Sequence, residues 1–80
     1  MITWEQLSTL PPLRDATGTI VLEEADDDTR TATFRIYGRS SLTVRLAWDG
    51  VHFDGEVPTK LRTALAPPGF GRFVAAGNRP

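Results

Sequence analysis

Strict alternation of apolar and polar residues runs through residues 31–37 and again through 42–48, and no other pattern in these 80 residues limits the fold so tightly. A period of two belongs to a strand, because successive side chains leave opposite faces of a sheet. It puts Ala32, Phe34, Ile36, Leu42, Val44, Leu46 and Trp48 on one face, and Thr31, Thr33, Arg35, Tyr37, Thr43 and Arg45 on the other. Asp49-Gly50 follows, a favoured pair for a two-residue hairpin turn. A turn centred there predicts Trp48 opposite Val51, Leu46 opposite Phe53 and Arg45 opposite Asp54, so apolar meets apolar and opposite charges meet. The connection around residues 38–41 leaves two registers open. A three-residue loop sets Arg35 opposite Arg45, and a five-residue loop sets it opposite Thr43. Like-charge repulsion favours the longer loop unless an anion lies between the arginines.

The flanking segments read as short covering elements. Thr3 is placed as a helix N-cap with Gln6 three residues on, the spacing of a capping box, and Ile2 and Leu7 form a staple across it. Pro11-Pro12 stops that helix within about two turns, because the residue before a proline is pushed out of helical angles. After Gly18, residues 19–24 alternate with Ile20 and Leu22 on one side, and residues 25–29, carrying Asp26, Asp27 and Asp28, read as a solvated turn. Pro58 suits a helix start, with Val57, Leu61 and Leu65 recurring every four residues and Ala64 beside them. Pro67-Pro68-Gly69 ends that helix. Phe70, Phe73 and Val74 predict a further short helical or irregular segment against the core, and residues 76–80 a frayed tail. The expected architecture is a single small α+β domain over residues 1–80: an antiparallel β-meander of three to four strands, with short N- and C-terminal helices packed on one face.

A chain of this size buries only roughly 60 to 65% of the surface its unfolded form exposes, so the core is thin. With no cysteine there is no disulfide framework or thiolate chemistry, which fits a reducing cytoplasm. Residues 1–20 are broken by Glu5, Gln6, Pro11, Pro12, Arg14 and Asp15, leaving no apolar run of signal-peptide or membrane-spanning length. The net charge of −1 conceals a split: residues 1–29 hold one basic and seven acidic groups, and residues 30–80 hold eight and three.

That split makes the polar sheet face the candidate binding surface. Arg35, Arg39 and Arg45, interleaved with threonines and with Tyr37 nearby, form a stripe able to bind an acidic protein surface or a phosphate. The plainer reading is a wet sheet face whose arginines pair with Asp54 and with the acidic residues 23–28. His52 and Asp54, two apart on a strand, share that face, where a carboxylate could orient the imidazole as a general base; no nucleophile is placed beside them, and an exposed His next to an Arg45–Asp54 pair is the simpler account. Glu23, Glu24, Asp26, Asp27 and Asp28 lack the spaced ligands and fixed glycine of a calcium loop. Residues 69–74 echo the glycine-aromatic motif of RNA-recognition sheets, but Pro68 stands at the leading basic position and Arg72 interrupts the aromatic spacing.

From Leu42 onward, Leu42-Thr43-Val44-Arg45-Leu46, Gly50, Phe53, Val57-Pro58, Leu61, Leu65, Gly71 and Phe73 resemble the KTSC-domain family, with its strand, glycine turn, short strand and Val-Pro helix start. The naming Lys-Thr-Ser-Cys motif is missing from this chain. The resemblance implies a compact α+β fold and carries over no active site. The leading expectation is a non-enzymatic binding module, inhibitor or adaptor, that docks on another protein through Arg35, Tyr37, Arg39, Arg45 and His52 or through an edge strand, with no cofactor and no metal. The alternative is a nucleic-acid or phosphate binder using the same face. Self-association would relieve both the thin core and the short strand edges.

Overall fold

The computed structural model describes residues 2–65 and the backbone of residues 73–75. Helix α1 (Trp4–Ser8) is followed by β1 (Leu13–Arg14), β2 (Thr19–Asp26), β3 (Thr31–Ile36), β4 (Ser40–Ala47) and β5 (Gly50–Asp54), then helix α2 (Thr59–Leu65) and β6 (Phe73–Ala75). The first five strands form an antiparallel meander in chain order, and β6 adds to the outer edge of β5 in parallel.

The sheet is larger than the three to four strands expected. Only two residues of β1 pair, too few to show an alternation. Residues 73–75 form a strand where a helical or irregular segment was expected: β5 would otherwise offer an open ladder, and Phe73-Val74 are residue types that suit one. The predicted helix stop at residues 67–69, Phe70, most of the 69–74 motif and the 76–80 tail lie outside the described residues.

The capping box forms as the spacing predicts. Gln6 N donates to Thr3 Oγ1 at 3.1 Å, and Thr3 N donates to Gln6 Oε1 at 3.0 Å, which satisfies backbone groups that a helix this short cannot satisfy itself. Both helices cover one sheet face. Leu7 from α1 and Leu61 and Leu65 from α2 are fully buried with Ile20, Ala32, Phe34, Val44 and Val51, while Val57 packs at the margin.

The hairpin registers depart from those expected. Across β4 and β5, Ala47 pairs with Gly50, Leu46 with Val51, Arg45 with His52, Val44 with Phe53 and Thr43 with Asp54. The two-residue turn is therefore Trp48-Asp49, one position earlier than predicted, and the ladder slips by two. Gly50, at a φ of 143°, takes the glycine-favouring backbone as the first residue of β5 rather than inside the turn. Trp48 leaves the core face and becomes 93% exposed. Between β3 and β4 the turn is Tyr37-Gly38-Arg39, with φ of 56° and 70° at the first two and Arg39 N donating to Ile36 O at 3.0 Å. This sets Arg35 opposite Ser41 and Arg45 opposite Thr31, so Arg35 faces neither Arg45 nor Thr43.

Candidate functional site

The register decides which side chains share the outer sheet face. One row holds Asp26, Thr31, Arg45 and His52, the next Glu24, Thr33, Thr43 and Asp54, and a third Val21, Arg35 and Ser41. Carboxylates from β2 and β5 thus lie among the arginines of β3 and β4, and the face is mixed in charge rather than a basic stripe.

Three of the five predicted site residues, Arg35, Tyr37 and His52, are held internally. An extra residue in β2, a bulge between Leu22 and Glu24, turns Glu23 toward Arg35, whose Nε donates to Glu23 Oε2 at 3.0 Å. Both side chains are well exposed, so the pair is worth at most about 1 kcal/mol. Tyr37 closes the bottom of the sheet. Its hydroxyl donates to Asp15 Oδ2 at 2.6 Å, its backbone N–H to Thr19 O at 2.9 Å, and its ring lies where a Cβ on Gly18 would come within 3.1 Å of Cδ1. The other oxygen of Asp15 accepts from Thr17 N and Gly18 N. The phenol holds the Asp15 carboxyl below its ordinary value, and the carboxylate in return raises the Tyr37 hydroxyl above its own. Arg39 is exposed in the adjoining turn, at the opposite end of the sheet from the Trp48-Asp49 turn.

Arg45 and His52 come together as direct cross-strand neighbours. His52 is nearly covered, its side chain 11% exposed, and its Nε2 lies 2.7 Å from Asp49 Oδ1. The carboxylate only accepts, so Nε2 is the donor. The carboxylate that holds His52 is thus Asp49, in the turn, and not Asp54 on the strand; Asp54 lies opposite Thr43, so the predicted Arg45–Asp54 cross-strand pair does not form. Arg45 is exposed and makes no ion pair among the described residues. With Thr31, Thr43, His52 and Asp54 it lines a shallow concavity of about 200 Å³. Beyond it the hairpin ends in Trp48, whose indole stands in solvent on a turn that the His52–Asp49 bond ties to the strand.

The acidic run disperses as well. Glu23 serves Arg35, Asp27 Oδ1 accepts from Trp4 Nε1 at 2.7 Å, and Asp26 Oδ1 accepts from Asp28 N at 2.9 Å. The Arg30 guanidinium lies 5.9 Å over the Trp4 ring, which fastens α1 to the β2–β3 turn. No group of His, Asp or Glu among the described residues is placed to hold a metal ion. No described helix is long and apolar enough to cross a membrane.

Trp48 is the functional candidate that alternation concealed, because a pattern of period two assigns it to the core. The one available signal was Asp49-Gly50 itself, since a turn beginning one residue earlier ejects the indole. No family model, curated protein or solved structure matches this chain.

Proposed function

We propose that the chain is a small protein-binding module, of the inhibitor or adaptor kind, that docks through the tip of the β4–β5 hairpin and the adjoining outer sheet face. The observation that carries this reading is Trp48, 93% exposed at the end of a braced turn, with Arg45, which makes no ion pair among the described residues, on the same hairpin. Trp and Arg are the residue types that dominate interface energetics. Covering an indole of 150 to 250 Å² contributes roughly 4 to 6 kcal/mol before the costs of association. The His52–Asp49 bond braces the turn in advance, so the entropy still to be lost there on docking is mainly that of the Trp48 side chain.

Glu24, Asp26 and Asp54 share the outer face with Arg35 and Arg45. A mixed face complements a protein surface better than a polyanion, which selects for basic excess. The test is affinity capture from host lysate with the wild-type chain, a Trp48→Ala/Arg45→Glu variant and an Arg39→Glu control. The double variant is expected to lose a specific captured protein that the Arg39 control, altered at the far end of the sheet, retains. Capture that survives the double variant removes the hairpin from the account.

A further inference from the structure

The outer sheet face carries opposite charges that are neighbours and do not meet. Arg45 lies across from His52, and Thr43 across from Asp54, so Arg45 and Asp54 stand on one diagonal of the β4–β5 ladder and line the same shallow concavity. Both are exposed, and neither side chain makes an ion pair or a hydrogen bond among the described residues. A second diagonal of this kind crosses the β2–β3 ladder. Glu24 lies opposite Thr33, and Arg35, one row lower, lies opposite Val21. Glu24 is exposed and equally unengaged, and of the Arg35 guanidinium only Nε is taken, by Glu23. Between the charges stand Thr31, Thr33, Thr43 and Ser41, short side chains that let a second sheet approach to about 10 Å.

The registers fix where these groups fall. Neighbouring strands lie about 4.8 Å apart and rise about 3.3 Å per residue, which turns the paired rows into a grid. On that grid the perpendicular bisector of the Arg45–Asp54 diagonal is a line within the face. It runs from Val21 on β2, between Thr33 and Thr43, to His52 on β5. A half-turn of a second copy about this line lays the two outer faces together and sets Arg45 of each copy on Asp54 of the other. Those two residues alone define the line, and the same half-turn brings Glu24 over Arg35 of the other copy. It also brings Val21, 38% exposed, beside its counterpart. The strands of the two copies then cross at roughly 70°, close to the orthogonal class of sheet packing. Trp48 lies beyond the end of the paired rows and stays outside this contact.

We infer that the chain forms a two-fold symmetric dimer through its outer sheet face, with the Arg45–Asp54 pair made twice across the axis. A mixed face accepts only a surface that carries the opposite sign at each position, and about this axis a second copy supplies it by symmetry. An interface of this kind is isologous, each residue meeting a different residue that meets it in return. The net charge of −1 leaves no long-range repulsion between copies. A molecule 30 by 27 Å across presents a face of the size that each partner covers in a standard interface, roughly 800 Å². The dimer takes the sheet face and leaves the hairpin tip available, so it does not rest on the reading of Trp48.

The test is sedimentation equilibrium of the full chain from micromolar to millimolar concentration, where a reversible monomer–dimer equilibrium that weakens with added salt is expected. Arg45→Asp sets like charges face to face at two places, as does Asp54→Arg, and each should raise the dimer Kd at least about a hundredfold. An equimolar mixture of the two variants should recover a dimer, because acid then meets base at both places, and that recovery also shows that both variants fold. The double exchange Arg45→Asp/Asp54→Arg should recover it in a single chain, and Trp48→Ala should leave the dimer unchanged. A wild-type chain that stays monomeric at millimolar concentration overturns the inference. So do single variants that dimerise like wild type, or a mixture of them that does not associate. Loss of the dimer on Trp48→Ala, with both charge variants unaffected, also overturns it and gives the contact to the hairpin tip. A monomeric chain leaves the hairpin reading standing, since that one is tested through a captured partner and Trp48.

Discussion

Tyr37 and Trp48 occupy equivalent places, each the first residue of a hairpin turn that follows an alternating strand, and they meet opposite fates. Tyr37 takes a left-handed backbone, packs against Gly18 and donates its hydroxyl to Asp15. Trp48 makes no such return and remains 93% exposed. What separates them is the surroundings within reach. The bottom of the sheet has a second turn, at residues 15–18, that presents a carboxylate and a cleared glycine, whereas at the top the nearby carboxylate, Asp49, is taken by His52. A strained, bonded aromatic closes the fold, while the other stands exposed in solvent.

The contrast can be broken most severely through the core the two turns share. Phe34→Ala is expected to cost about 3 to 5 kcal/mol, a large part of the stability of a domain this small, and urea unfolding would register it wherever the structural probe is placed. A loss confined to one end would mean the ends fold separately. Gly18→Ala acts at one end only: its Cβ must displace the Tyr37 ring, at an expected cost of about 1 to 3 kcal/mol. The matching change at the other end, Trp48→Ala, should leave unfolding within about 0.5 kcal/mol of wild type.

The Tyr37–Asp15 pair also has a pH signature. Asp15 titrates below its usual 3.8 in the folded chain, so its contribution is present above that value and is lost as pH falls through the lowered one. Tyr37 titrates above its usual 10.0, so its contribution is present below that value and is lost as pH rises through the raised one. Tyr37→Phe should lower the melting temperature at neutral pH and flatten both arms of the stability profile. Arms of unchanged steepness would show that the pair does not couple to folding. The smallest effect belongs to Arg35 and Glu23, whose coupling in a double-mutant cycle should not exceed about 1 kcal/mol and should shrink with added salt.

Local signals were legible and longer-range ones were not. The capping box at Thr3 and Gln6, the core alternation of β3 and β4, and the Leu61–Leu65 face of α2 each depend on residues a few positions apart. The β4–β5 register illustrates the limit. A slip of two residues keeps every side chain on its own face, so apolar still meets apolar whether Leu46 lies opposite Phe53 or Val51. The apparent confirmation from Arg45 and Asp54 arose from a charge that sits diagonally across the true register. Arg35 reaches Glu23 only because of a bulge, and Tyr37 meets Asp15 across 22 positions, a separation that no periodicity reports. The predicted face consequently divides: Arg45 and His52 remain neighbours, Arg35, Tyr37 and His52 are each engaged by a carboxylate within the fold, and Arg39 lies at the far end.

The most direct test is the fluorescence of Trp48 alone, in a Trp4→Phe background, titrated with iodide and acrylamide. The account predicts a red-shifted emission maximum and quenching by both agents close to that of a free indole, unchanged by Tyr37→Phe. A blue-shifted maximum with protection from iodide would place the indole in the core, restore the Asp49-Gly50 turn and contradict the account.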